Sequence, residues 1–320
     1  MKYVLEYFIV YLMAPLVLAI GLVGNTLGIL VLSKQKLIKM GSIHTLRYLL
    51  LIDSAYLFMI IQPYLAYPFQ LDFTLISDKV CKLFKYFNYS LDVISPWLLV
   101  FVSFDKLVSI RIPARKELLR NATCQRFYLL VIFVFNMIYY LPFAYFSVLT
   151  DTEVRLANEN RTVVIRSCSF VNSGAQRLLS LMDIVNRALI PFTLMSLFTL
   201  LIIQTVFESR NRVIANYTFR QNKTFQRDVK FATTAIILNI VYFLFSLLVS
   251  VLFFMRNHST HIFVYLFTLY LFYMCYAVNF YLILISNSIF RNEFFAMFRT
   301  ICRQDISINR PARSLRITSV

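Results

Sequence analysis

Four ionisable side chains, Asp53, Asp92, Asp183 and Arg187, stand inside stretches of sequence that are otherwise continuously apolar. A charge at the centre of a membrane helix costs on the order of 2.5–3.5 kcal/mol on insertion scales. Such side chains therefore face a bundle interior, pair with one another or line a wet cavity. Asp183 and Arg187 are four residues apart and share one helix face, where carboxylate and guanidinium can meet, with Asp92 as a cross-bundle partner. Together with Asn88, and rimmed by Tyr64, Tyr265 and Tyr273, they predict an outward-facing polar pocket for a ligand with charged or strong hydrogen-bonding groups. Structural ion pairing alone is the plainer alternative. A second group, Asn25, Asp53, Ser95 and Asn279, lies deeper. Its oxygens could surround a small cation or a water cluster, since hard cations favour oxygen ligands. For the neutral polar residues of the runs, Asn25, Asn88, Ser95, Asn136, Asn186, Asn239 and Asn279, hydrogen-bonding glue between helices is the plain alternative to a site. Catalytic chemistry is not indicated: there is no His pair, Ser-His-Asp set or metal-ligand cluster, and the three His lie in or beside loops.

The elements that must position these groups are long apolar runs. They cover Tyr7–Leu32, Leu46–Tyr67, Leu83–Ile110, Phe127–Leu149, Leu178–Phe207, Phe231–Met255 and Ile262–Ser286. About 20 apolar residues cross a hydrocarbon core, so each run is long enough to span with some tilt. Continuous apolarity, instead of alternation, calls for helices and not a barrel. The composition agrees, with 59% hydrophobic and 15% charged residues, against about 45–50% and about 25% in soluble domains. The expected fold is all-α, a seven-helix membrane bundle. The first run is too long for a secretory h-region and lacks a small-x-small cleavage site, so it reads as a retained span.

The net charge of +17 would raise nucleic acid as a partner if it were clustered on a folded surface. Instead it alternates between the breaks. Those at 33–45 with Arg47, 105–126, 208–230 and 287–320 carry 22 basic and 6 acidic residues, while the N-terminus and the other breaks, with Lys82, carry 8 and 6. Positive loops stay cytoplasmic, which places the N-terminus outside and the C-terminus inside, with no nucleic-acid partner expected. On that map Cys81 and Cys168 form the single extracellular pair, and a Cys81–Cys168 bridge is the one connectivity open to the oxidising compartment. Asn160 and Asn257 are the outer glycosylation acceptors. Phe290, Phe294, Phe295 and Phe298 form one stripe of an amphipathic helix over about 287–299, lying on the lipid bilayer. Cys302 beyond it is a candidate for palmitoylation, or a plain juxtamembrane cysteine.

Several short motifs occur in order along these runs. Gly24-Asn25 is followed by Leu49-Leu50-Leu51-Ile52-Asp53, with Pro63 ten residues on. Cys81 precedes Asp105 by 24 residues, and Asp105-Lys106-Leu107-Val108-Ser109-Ile110-Arg111-Ile112-Pro113 follows. Pro191 lies in the fifth run, and Asn279-Phe280-Tyr281-Leu282-Ile283 leads into Phe290-Arg291-Asn292-Glu293-Phe294. In these pieces the chain resembles the rhodopsin-like G-protein-coupled receptors, in a divergent, invertebrate-type form near the peptide-receptor branch. The resemblance implies a receptor domain over 1–302 with a short amphipathic eighth helix, a basic cytoplasmic tail over 303–320, and a plasma-membrane location. It implies an extracellular ligand and a heterotrimeric G protein as partners, with Asp105, Lys106 and Arg111 toward the G protein. It also implies a sodium ion held near Asp53, Ser95 and Asn279, and no other cofactor.

Departures are equally specific. Lys106 stands where the family has Arg, keeping the charge but losing the planar fork. Phe280 and Ile283 replace the Pro and Tyr of the seventh helix, the sixth shows no Cys-Trp-x-Pro, and Trp97 is the one Trp in the chain. These losses bear on activation more than on fold. A ligand-binding protein without productive coupling is therefore an open alternative. A transporter or channel is less favoured, since only 5 Gly and no self-similar halves are present.

Overall fold

The computed structural model describes residues 7–38, 43–112, 121–155, 162–215, 223–254 and 262–308. Seven helices cross the bundle in succession. α1 covers Phe8–Leu32, α2 Ile43–Phe69, α3 Asp78–Arg111 and α4 Ala122–Phe146. α5 is built from Ser173–Asp183, a widened π-helical turn Ile184–Leu189 and Ile190–Ala215; α6 is Lys223–Phe254. α7 consists of Ile262–Ala277 and Asn279–Ser286, which meet at an angle of 48°. The first six are each long and apolar enough to cross a membrane, and the two parts of α7 together make a seventh.

Side-chain caps set the starts of several helices. Ser77 accepts from the Val80 amide (3.3 Å) to open α3, Asn121 from the Thr123 amide (2.9 Å) to open α4, and Asn172 from the Ala175 amide (2.7 Å) to open α5. Asn287 accepts from the amides of Ile289 (3.1 Å) and Phe290 (3.2 Å), separating α7 from α8, which runs Ser288–Ile308. That last helix continues past residue 299, where the apolar stripe predicts its end, and takes in the start of the expected tail.

The helical bundle is as expected, with one small sheet beside it, and one boundary is corrected: the fourth span stops at Phe146, so residues 147–149 are not helical. Ser147–Arg155 forms β1 and Thr162–Phe170 forms β2, an antiparallel hairpin in which Leu149 faces Cys168. β-branched residues fill both strands (Val148, Thr150, Val163 and Ile165 among them), and they suit a pleated ribbon better than a helix. The Cys81–Cys168 disulfide ties β2 to the first turn of α3.

α3 is the most buried of the helices and forms the axis of the bundle. α1 approaches its neighbours through glycines that share one helical face, Gly21, Gly24 and Gly28. A Cβ on Gly21 would lie 2.4 Å from Leu57 Cδ1 and 2.9 Å from Ala277 Cβ, and one on Gly28 would lie 2.5 Å from Leu50 Cδ1. Leu57 can rotate away, but Ala277 has no rotamer to change and sits at the α7 bend. Gly21→Ala is therefore expected to destabilise the bundle by about 1–3 kcal/mol through overpacking. The melting temperature of the purified protein checks this, and an unchanged value would show that α1 is free to shift.

Candidate ligand cavity and polar core

A cavity of about 920 Å³ opens at the end of the bundle that carries the hairpin. Its lining includes Asn88, Asp92, Asp183, Arg187, Tyr265 and Tyr273, six of the seven residues expected from sequence. Tyr64 is not among them; its ring packs edge-on against Phe69 at 5.5 Å. Arg187 Nε lies 3.1 Å from Asp183 Oδ2 and 3.5 Å from Asp92 Oδ2, so one guanidinium serves two carboxylates on two helices. The other carboxylate oxygens accept from tyrosines: Tyr140 donates to Asp183 Oδ1 at 3.1 Å, and Tyr276 donates to Asp92 Oδ1. The guanidinium also stacks over the Phe272 ring at 5.1 Å.

Prolines explain why these residues are exposed to one another. Pro191 lacks an N–H, so the Arg187 carbonyl four residues earlier loses its ordinary helical donor. α5 widens into its π-helical turn there, and Tyr242 of α6 donates to the freed carbonyl at 3.1 Å. Pro96 does the same to the carbonyl of Asp92, where α3 is interrupted at Val93, and Tyr276 of α7 approaches that carbonyl at 3.3 Å. Both charged residues thus sit at breaks in their helices, each bound to a tyrosine from a different helix. Sequence reasoning missed Tyr140, Tyr242 and Tyr276. The available signal was a Pro four residues after Asp92 and again after Arg187.

The deeper cluster is only partly assembled as expected. Asn279 donates to Asp53 Oδ2 at 2.6 Å, and buried Ser95 lies beside the same carboxyl. Asn25 instead donates to the Tyr276 carbonyl at 3.2 Å. Asp53 Oδ1 and Asn25 Oδ1 are buried and have no hydrogen-bond partner among the described residues. The α7 bend falls between Tyr276, which holds the cavity floor, and Asn279, which holds Asp53. It forms without the family's proline, at Val278.

Asparagines join the helices. Asn186 donates to Asn136 Oδ1 (2.8 Å) and accepts from Trp97 Nε1 (3.3 Å), linking α3, α4 and α5. Asn239 of α6 donates to Ser103 Oγ at 2.8 Å and lies 3.4 Å from Thr199 Oγ1.

At the opposite end of the bundle, Asp105 and Lys106 are buried, while Arg111 is exposed. Lys106 Nζ lies 3.2 Å from Asp105 Oδ2 and 5.4 Å from the centroid of the Phe231 ring of α6. α6 is further held there by Lys230, which donates to Ser288 Oγ at 2.9 Å. Lys36 pairs with Glu293, tying the segment after α1 to α8. Phe290 and Phe294 of α8 pack on Phe280 at 5.9 and 5.7 Å, so part of the expected lipid-facing stripe points into the bundle.

On the hairpin, Arg166 donates to Asp151 through Nε (2.9 Å) and Nη2 (3.2 Å), and these bonds hold the Asp151 carboxyl below its ordinary range. The glycosylation acceptors Asn160 and Asn257 lie outside the described residues, as does the tail beyond residue 308. Cys302 falls on the last turns of α8.

The family model for the 7 transmembrane receptor (rhodopsin family) matches residues 24–282 of the chain. A search of curated proteins returns no match.

Proposed function

The chain belongs to the rhodopsin family of seven-transmembrane receptors, multi-pass proteins of the plasma membrane, and from that premise we propose that it binds an extracellular ligand in the hairpin-end cavity and signals through a heterotrimeric G protein. The hairpin end is then extracellular and α8 cytoplasmic, in line with the charge count of the breaks. The carrying observation is the Asp92–Arg187–Asp183 trio, because it ties the ligand cavity to the helices that must move. A ligand that disturbs Arg187 also disturbs the carbonyl that holds Tyr242 of α6. One that disturbs Asp92 loosens Tyr276, two residues above the α7 bend. Binding thereby biases α6 and α7 between two arrangements, which is what a two-state receptor requires.

Asp53 and Asn25, each with a buried oxygen that has no hydrogen-bond partner among the described residues, fit a small hard cation such as sodium. Bound there, it would tie α1 to α2 beside the Asn279–Asp53 hydrogen bond and supply no chemistry beyond charge balance. At the cytoplasmic end, Lys106 is covered by Phe231. Movement of α6 would uncover it beside Arg111 as the G-protein surface.

The test is a G-protein dissociation sensor in cells that display the protein, screened with extracellular amines, amides and short peptides. A response is expected, and Asp92→Ala, together with Arg187→Ala in the fraction that still reaches the surface, is expected to lower its potency at least tenfold. Unchanged potency in both variants sinks the pocket assignment, and persistent silence of surface-displayed protein favours a ligand binder that does not couple. Tyr242→Phe leaves the Arg187 carbonyl unsatisfied, a loss of about 1–3 kcal/mol from the closed arrangement. Ligand-independent signal is expected to rise severalfold in this variant, and a flat basal signal would remove Tyr242 from the coupling route.

A further inference from the structure

Asp92, Asp183 and Arg187 are all more than nine-tenths buried, and two carboxylates against one guanidinium leave a negative excess at the cavity floor. The rest of the lining carries one carboxylate, Asp72, and two cations, Lys85 and Arg166, so the excess belongs to the floor and not to the cavity as a whole. Arg166 is exposed and already bonded to Asp151, Asp72 accepts from Gln62 and Thr74, and Lys85 sits over the Phe170 ring at 5.0 Å. Among the described residues each floor carboxylate oxygen has one hydrogen-bonding or ion-pair neighbour, Arg187 or a tyrosine, and an ionised carboxylate has room for about four donors. Arg187 Nη1 presents the reverse deficiency: it is a buried donor with no acceptor among the described residues.

Building on the reading of this cavity as the ligand site, we propose that the ligand carries a protonated amine with a hydrogen-bond acceptor beside it, as in an α-amino amide or the N-terminus of a peptide. The ammonium lies against Asp92 and Asp183 and cancels their excess charge. The neighbouring carbonyl accepts from Arg187 Nη1. Tyr56, Tyr89, Phe272 and Tyr273 complete an aromatic wall suited to a cation and to a ring-bearing side chain. A ligand carboxylate in place of the amine would gather three anions around one guanidinium, so an acidic ligand is disfavoured by the same count.

Four small probes of matched shape separate these charges: tyrosine amide, N-acetyltyrosine amide, tyrosine and N-acetyltyrosine. At pH 6.5 the free amines are mostly protonated, since an α-amino group titrates near 7.7–8.0. Binding is read from the melting temperature of the purified full chain as each probe is titrated. Tyrosine amide is expected to bind at least tenfold more tightly than its acetylated form (about 1.4 kcal/mol), and N-acetyltyrosine most weakly. Asp92→Asn, or Asp183→Asn where the first fails to fold, is expected to cut that advantage to about threefold or less. Equal affinity for the amine and its acetylated form overturns the amine assignment, as does a variant that folds and keeps the full advantage. Tightest binding by N-acetyltyrosine would assign the floor to an anion. No shift with any of the four overturns the earlier reading of the cavity as the ligand site.

Discussion

Replacing Arg187 by Met is expected to remove most of the folded protein from the cell surface, and adding Asp92→Asn and Asp183→Asn to the same chain is expected to restore much of it. The guanidinium is the shared partner of two buried carboxylates. Removing one member of a buried ion pair costs about 3–5 kcal/mol, because the remaining charge has neither water nor a partner. Here two charges are left, against a total stability of about 5–15 kcal/mol for a typical protein. Asparagine at both acidic positions still offers Tyr140 and Tyr276 an oxygen to donate to, so the triple variant keeps their bonds without the stranded charge. Asp92→Asn alone should be mild, since Arg187 retains Asp183 at 3.1 Å. Surface display and melting temperature together measure this, and a well-displayed Arg187→Met protein with an unshifted melting temperature would show that the trio does not hold the fold.

Loss of the Cys81–Cys168 disulfide is the second large effect expected. The bridge closes 87 residues of chain, including α4 and both strands. For a free chain that loop length corresponds to about 4–5 kcal/mol of denatured-state entropy. Helices that stay inserted already restrict the loop, so a loss of about 2–3 kcal/mol is expected. Cys81→Ser and Cys168→Ser should each lower the melting temperature, and the double variant should be no worse than either, because the two sulfurs act as one unit. Additive losses would mean that each sulfur contributes separately. The hairpin also supplies part of the cavity wall, so ligand response should fall further than stability does.

How far the sequence carries depends on which force dominates a segment. The seven runs are legible because a hydrocarbon layer imposes a length and a polarity that leave few alternatives. Asp183 and Arg187 are legible for the same reason: a charge in such a run has to find a partner, and the i,i+4 spacing gives it one. The hairpin was hidden within a long polar break. Its β-branched residues were visible, but its pairing depends on where the bridge pins Cys168. Tyr140, Tyr242 and Tyr276 could not be picked from 20 tyrosines without the fold, although the two prolines that call for them could. The α7 bend persists although Phe280 stands where a proline was expected, and Phe280 instead serves as a packing surface for Phe290 and Phe294. Lys106 was expected at an effector surface and is buried under Phe231, because the arrangement described is one in which α6 is closed on α3.

Trp97 is the one indole in the chain, and its N–H is bonded to Asn186, the residue next to Arg187. Its near-ultraviolet emission therefore reports from a single known place, beside the cavity floor. A ligand that shifts Arg187 would alter the polarity and hydrogen bonding around that indole, changing emission wavelength or intensity without any attached dye. On the proposed reading of the cavity, that indole would serve as an intrinsic optical gauge of occupancy, readable in detergent or in vesicles.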